Sequence, residues 1–442
     1  MLSKIKNVLF KLDSRQDSPD ESNRLVPLIT DSYYYIGLLS YTTVYKLHWV
    51  AKVSICCFLI SCVLQVITLF MSKGDPDKLF ECFSILSFCS MGVLKINSLC
   101  KYHKGWHFLL NQISTLENEQ LKGTPLSNLE YQSTNDESIN FSDFIKIYTN
   151  KFRIASTILT RIYFFTAFLF ILSPFVEMIF CMLFGMECLT YPHILPCWAP
   201  LDDFSFVGYI LTVWCEFMAA VFCVSVHLAF DLTAFGVMIF VCGQFALLRE
   251  YSSCIGGKGK KYNLSKKRDD RAHFRISHCH HTNIILVNSI TELDKLLVNI
   301  IGVYFFVATL TLCSVAVRLQ TEVMSSMQLV SLIQYMCGLL TQLFVFCRYG
   351  DAVLNESSMG MGQGPYAAAI WCLSPRIRKD LAILSAGMMR PRHLRAGLFN
   401  NLDLPSFIQV GITLYLLVSY TYVRIKFKKY DCAWYDFEII FS

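Results

Sequence analysis

The sequence predicts an all-α integral membrane protein with seven transmembrane helices, on three observations. Of 442 residues, 54% are hydrophobic and only 16% are charged, whereas soluble chains carry roughly 45 to 50% apolar and about 25% charged residues. The apolar residues gather into runs of bilayer length, since a hydrocarbon core of ~30 Å takes about 17 to 25 helical residues to cross. Lys and Arg are shared unevenly among the connecting segments, as in a polytopic protein. The formal charge of +6 therefore reports topology, and no nucleic-acid partner is implied.

The spans fall at Val50 to Met71, Leu79 to Ser98, Ala155 to Phe184, Phe204 to Val226, Leu296 to Val317, Met324 to Cys347 and Phe407 to Val423. The region up to His48 is polar and of mixed charge, so the first span is expected to act as its own insertion signal. The third and fourth runs exceed membrane thickness, which implies tilt or extension into water. His227 to Leu248, interrupted by Asp231 and Gln244, reads as a packed cytoplasmic continuation of the fourth helix. Asn118 to Ser142 reads as a loop. Tyr366 to Ile377 is too short to span and contains Pro375, so it is expected to be a cytoplasmic helix packed on its neighbours. Gly256, Gly257 and Gly259 lie in a Lys-rich run and predict a flexible, solvated loop. They do not make a phosphate cradle, because no strand, turn and helix surround them.

Orientation follows from the basic residues. The segment between the fourth and fifth spans holds Arg249, Lys258, Lys260, Lys261, Lys266, Lys267, Arg268, Arg271, Arg275 and Lys295, while Gly185 to Asp203 has no Lys or Arg. The first segment is assigned to the cytoplasm. An odd number of spans then places the N-terminus in the cytoplasm and the C-terminus outside. Three glycosylation sequons, at Asn140, Asn263 and Asn355, all fall on the cytoplasmic side and are expected to be unmodified.

Chemically reactive constellations are sparse. The 19 cysteines sit largely inside apolar runs, where a thiol behaves as a small hydrophobe. His278, Cys279, His280 and His281 are metal-ligand types, but adjacent side chains on a helix diverge and no second cluster completes a site. Glu177, Glu216 and Arg161 are costly in lipid and are expected to face the bundle interior or water, with snorkelling open to Arg161. Gln409, Thr413, Ser419 and Thr421 in the last span suit a conduit wall or bond back to their own helix. Nothing pairs a nucleophile with a base, so no enzyme, cofactor or metal is expected.

One pattern in the C-terminal third is specific. Phe346-Cys347-Arg348-Tyr349-Gly350-Asp351, Glu356-Ser357, Tyr366, Trp371, Pro391, Leu394, Ala396-Gly397, Phe407 and Tyr415 resemble, in order and spacing, the signature of insect odorant receptors. Weaker echoes at Pro196, Trp198, Pro200, Tyr209, Asp231 and Gln244 extend the resemblance over nearly all of the chain after Val50.

The resemblance implies a tuning subunit of an odorant-gated, non-selective cation channel that assembles with a shared co-receptor as a heterotetramer, in the plasma membrane of olfactory sensory neurons. It divides the chain into a cytoplasmic region 1–49, six spans with a ligand pocket at 50–347, an anchor loop and helix at 348–399, a pore-lining seventh span at 400–423 and an atypical tail at 424–442. For a small volatile ligand it implies a pocket of Phe83, Ser87, Phe168, Phe175, Met178, Tyr209, Val213, Phe217 and Tyr335. Tyr415, Val418, Thr421 and Tyr422 would line the pore, and Asp231, Gln244, Tyr366 and Trp371 would serve the anchor and assembly. Cys188 and Cys197 share the segment assigned to the oxidising side, where a bridge would tie down a lid over the pocket. The chain departs from the family at Leu416, where a Ser usually follows the Tyr, and in its basic tail. A gustatory-type channel and a metabotropic seven-span receptor are the alternatives.

Overall fold

Leu, Phe, Ile, Val, Met and Ala dominate the long runs, and in lipid such runs satisfy their backbone N–H and C=O groups only as helices, which here continue through Pro174 and Gly236. The computed structural model describes residues 24–36, 49–74, 76–121, 141–184, 191–198, 206–257, 264–321, 326–358, 360–397, 400–416 and 419–420. The helices are α1 (Leu25–Ile36), α2 (Trp49–Met71), α3 (Pro76–Lys101), α4 (His103–Leu121), α5 (Phe141–Phe184), α6 (Phe206–Ser253), α7 (Lys266–Thr321), α8 (Ser326–Ser358), α9 (Gln363–Ala367), α10 (Pro375–Met388) and α11 (Leu404–Leu416). Six of them, α2, α3 and α5 to α8, are long and apolar enough to cross a membrane. They coincide with six of the predicted runs, and α11 opens the seventh. Apolar side chains such as Leu59, Val63, Phe70, Phe165, Phe168, Ile210 and Leu211 are exposed on the outside of the bundle. A lipid-facing surface has this composition.

The middle of the bundle is α6, which packs against α1, α2, α3, α5, α7, α8 and α9. Its second half, Val226 to Leu248, is buried almost throughout, as expected for a packed continuation of the fourth helix. Polar side chains interrupt this apolar helix at intervals. Each buried one must find a partner, because an unpaired polar group in the interior costs roughly 1 to 3 kcal/mol. Gln244 finds Gln120 of α4, the two amides bonding reciprocally at 2.7 and 2.8 Å.

Several segments differ from expectation. A helix, α1, lies in the polar N-terminal region, with Leu25, Val26 and Ile29 in the core. Its N-terminus is held by Glu117, whose carboxylate accepts the N–H groups of Leu25 and Val26 and the Tyr148 hydroxyl at 3.0 to 3.2 Å. A carboxylate is favoured there by the unsatisfied N–H groups and the helix dipole. Burial nevertheless pushes the Glu117 carboxyl above the usual carboxylate range, against those hydrogen bonds. Asn118 to Leu121 form the last turn of α4 and no loop. Tyr366 to Ile377 is not one helix: it divides into the end of α9, a 3-10 turn at Ile370–Cys372 and the start of α10. The reason is Pro375, which lacks an N–H and suits the first turn of a helix, so it starts α10 instead of interrupting an earlier one. Gly256 and Gly257 are packed, not solvated. A Cβ at Gly256 would come within 2.9 Å of the Ala369 backbone, and Gly257 has a φ of 75°, a conformation that favours glycine.

The root of α11 is built with equal care. A two-stranded hairpin, β1 (Arg395–Ala396) and β2 (Asn400–Asn401), is antiparallel with Arg395 opposite Asn401. The Arg395 guanidinium bonds Asp294 of α7 at 2.6 and 2.9 Å, and the Gly397 N–H reaches the Val298 carbonyl at 2.8 Å. Asp403 caps α11 by accepting both the N–H and the hydroxyl of Ser406.

The paired amides of Gln120 and Gln244 give a direct test. Gln244→Leu strands the Gln120 amide and should lower the thermal midpoint of the detergent-solubilised protein, by the equivalent of about 1 to 3 kcal/mol. Adding Gln120→Leu should recover most of that loss; a double variant as unstable as the sum of the singles would contradict the pairing.

Candidate ligand-binding layer and its polar floor

Residues 191–198 cross one end of the bundle, here termed the loop end. Pro192 and Pro196 keep this segment from forming a helix, so its N–H groups need other acceptors. Glu216 of α6 supplies one. Its buried carboxylate accepts the N–H groups of Ile194 at 2.9 Å and Leu195 at 3.3 Å, and His193 Nδ1 lies 3.1 Å away. The Tyr209 hydroxyl donates to the Pro192 carbonyl at 3.0 Å. Ile194 and Leu195 are thereby driven into the core, closing the loop end like a plug. Cys197 places its thiol 3.7 Å from the Ser61 carbonyl, while Cys188 lies outside the described residues.

Toward this end of the bundle α3, α5, α6 and α8 carry the aromatic residues expected to line a ligand layer. Phe83, Phe175, Met178, Val213 and Phe217 are half-buried there, and Phe175, Val213 and Phe217 pack on the core. Two polar ties cross the layer. The Tyr335 hydroxyl donates to the Ser84 carbonyl at 3.0 Å, and the Gln334 amide donates to the Thr166 hydroxyl at 3.1 Å. Ser87 is buried and returns its hydroxyl to the Phe83 carbonyl of its own helix. Phe168 stands apart. It is 61% exposed, on the outward stripe of α5 with Ile158, Phe165 and Leu172, a position set by helical register.

The floor of the bundle is ionic. Asp231 of α6 and Lys95 of α3 are completely buried and pair at 2.6 Å. The second carboxylate oxygen accepts the Tyr163 hydroxyl of α5 and the Gln342 amide of α8, the latter at 2.7 Å. Lys95 also meets His227 Nδ1 at 3.1 Å, and His227 Nε2 lies 3.1 Å from the Phe88 carbonyl. A carbonyl can only accept, so the ring carries its proton on Nε2 and offers the Nδ1 lone pair to the ammonium. The ring stacks on Phe88 at 4.2 Å, and the Lys95 ammonium faces the rings of Phe230 and Tyr304.

Asp231 and Gln244, expected in the anchor and assembly region, are both buried within one chain. Both spend their hydrogen bonds inside one chain, on Lys95, Tyr163, Gln342 and Gln120, because a buried charge or amide is stable only when paired. Tyr366 and Trp371, by contrast, are 69% and 55% exposed. Tyr415 is 71% exposed on α11, and Val418, Thr421 and Tyr422 lie outside the described residues. Glu177 is half-buried and Arg161 is exposed. The four residues from His278 diverge: His278 meets the edge of Tyr251, Cys279 is buried, and His280 and His281 are exposed. Of the sequons, the Asn355 amide bonds Asp351, and Asn140 and Asn263 are outside the described residues. Sequence reasoning missed Lys95, Tyr163, His227 and Gln342; the signal available was a lone Lys in an apolar span, which demands a carboxylate on another span.

A family model described as 7tm odorant receptor matches residues 75–415. Two solved structures of the insect olfactory receptor OR5 from Machilis hrabei share the fold. The one in complex with eugenol has a TM-score of 0.69 at 13% identity, covering 90% of this chain and 97% of that one. The other has a TM-score of 0.68 at 14% identity, covering 89% and 96%. No curated protein matches the chain significantly.

Glu216 predicts a measurable property of the plug. Glu216→Ala should raise amide exchange across residues 191–198 by about tenfold or more, since bonds to a charged acceptor contribute roughly 1.5 to 3 kcal/mol. Glu216→Gln, which keeps an acceptor oxygen, should recover part of the protection; unchanged exchange in Glu216→Ala would show that the plug is held by packing alone.

Proposed function

The chain belongs to the 7tm odorant receptor family, and from that premise we propose that it is the tuning subunit of an odorant-gated, non-selective cation channel. A small volatile ligand binds in the aromatic layer between plug and ionic floor, and a shared co-receptor completes a heterotetramer in the plasma membrane of olfactory neurons. The N-terminus and the long extensions of α6 to α8 face the cytoplasm on this reading, as the basic residues require.

The observation that carries the reading is the coverage of α11. Ser406, Val410 and, in part, Leu404, Phe407 and Leu414 are covered by the rest of the chain, while Ile408, Ile412, Tyr415 and Leu416 are exposed. A helix that exposes Ile408, Ile412, Tyr415 and Leu416 together with the polar Gln409 and Thr413, and packs on one stripe, needs lipid or other subunits on the rest. Neighbouring subunits would place Tyr415, Val418, Thr421 and Tyr422 toward a shared axis, with Tyr366 and Trp371 available for assembly below. The layer itself offers aromatic walls with few polar groups, which suits a small, mostly apolar molecule. One of the similar receptors was solved with eugenol, in keeping with a ligand of that size.

The test is cation current to an odorant panel, with and without the co-receptor. Odorants should evoke current only in co-expression. Alanine at Phe83, Phe175 or Tyr335 should then re-rank the panel, changing half-maximal concentrations of the most affected odorants by about 10- to 100-fold. Unchanged ranking at normal surface levels would remove these residues from the pocket, and silence to every odorant with the co-receptor present would remove the reading.

A further inference from the structure

The ionic floor and the root of the last helix meet on one element, α8. Gln342 is its contact with the floor, through the 2.7 Å bond to the Asp231 carboxylate. Two residues on, Phe344 meets Phe407 of α11 edge to face, with ring centroids 5.5 Å apart. After another two residues, Phe346 is locked on the opposite side by Phe235 at 4.5 Å and Tyr304 at 6.1 Å. One turn further, Gly350 lies against Leu402 so closely that a Cβ would overlap the Leu402 carbonyl oxygen. All these contacts fall within nine consecutive residues of one continuous helix, so α8 cannot shift at Gln342 without moving the seat of α11.

We propose that the Lys95–Asp231–Gln342 cluster is a gating-position element. Gln342 fixes the register of α8 on the buried carboxylate, and α8 fixes the root of α11. The inference rests on the channel reading for its functional meaning and on the contacts alone for its structural one. Three features favour positioning over plain stability. A fully buried ion pair is seldom more stabilising than apolar residues of the same volume, so its contribution is to specify one arrangement. The carboxylate is shared by helices α3, α5 and α8, each of which also bounds the aromatic layer. Gln342 is itself buried and lies two residues from Phe344, so the bond to Asp231 and the contact with α11 share one turn of α8. Lys95, Asp231 and Gln342 are therefore positioning residues that act through α8, and ligand choice is left to the layer above.

The experiment compares Gln342→Leu, Gln342→Met and Tyr163→Phe in the full chain with its co-receptor. Both Gln342 variants should change the resting current and the half-maximal odorant concentration by at least about threefold, with the order of odorant preference kept. Tyr163→Phe removes a bond to the same carboxylate without touching α8, and should change both quantities less. In the purified chain, amide exchange within Leu404–Leu416 should differ from wild type in the Gln342 variants and stay near it in Tyr163→Phe. The proposal is overturned if the Gln342 variants reach wild-type surface levels with exchange in Leu404–Leu416 unaltered, or if Tyr163→Phe has the same effect as they do. A wild-type chain that gives no odorant current, while Gln342→Met still alters that exchange, would overturn the channel reading and uphold the positioning role. Met is closest to Gln in length, so that variant serves where Gln342→Leu does not fold.

Discussion

A carboxylate and an ammonium, Asp231 and Lys95, lie completely buried at 2.6 Å in the middle of a chain made for lipid. Removing either charge from water costs several kcal/mol, and their attraction offsets this only if the remaining lone pairs and protons are also satisfied. That condition dictates much of the surrounding structure. It requires a hydroxyl from α5, an amide from α8 and a neutral imidazole from α6 itself, and the helices that carry them must converge. The apolar surfaces supply the bulk of the cohesion. The ion pair supplies the register.

The same logic repeats along α6. Glu216 holds the plug, His227 and Asp231 hold the floor, and Gln244 holds α4, so these four buried side chains tie the helix to its neighbours at three levels. At 1.5 Å per residue, Asp231 lies roughly 37 Å along the helix from Phe206, and Glu216 roughly 15 Å. The ionic floor thus falls near the far edge of a hydrocarbon layer, and between Glu216 and Asp231 most side chains of α6 are apolar.

Fold and family were legible because length and apolarity are local properties: a run such as Val50 to Met71 announces a span without knowledge of its neighbours. What lay outside such runs was harder. Helix α4 has an apolar stripe at Trp106, Leu109, Leu110, Ile113 and Leu116, readable as an amphipathic helix but obscured by its polar face, and α1 is fixed by Glu117, 92 residues away from Leu25. The site was legible only in part. The types of residue that surround a small apolar ligand could be named, yet Phe168 faces outward because aromaticity does not report helical phase. Asp231 and Gln244 were visible as anomalies in an apolar helix, but an anomaly does not name its partner. Lys95, Gln342 and Gln120 complete them from 111 to 136 residues away in sequence, a pairing that only the packing of the helices brings about.

The central claim is that the Asp231–Lys95 pair organises the bundle, and its coupling energy is the most direct measure. In a cycle of Asp231→Leu, Lys95→Met and the double variant, each single change leaves an unpaired buried charge or its neutralised remnant, and should lower stability by about 3 to 5 kcal/mol. The double variant should regain most of that loss, with a coupling of more than about 2 kcal/mol. Singles no more harmful than surface substitutions, or a double variant whose loss is the sum of the two, would contradict the account.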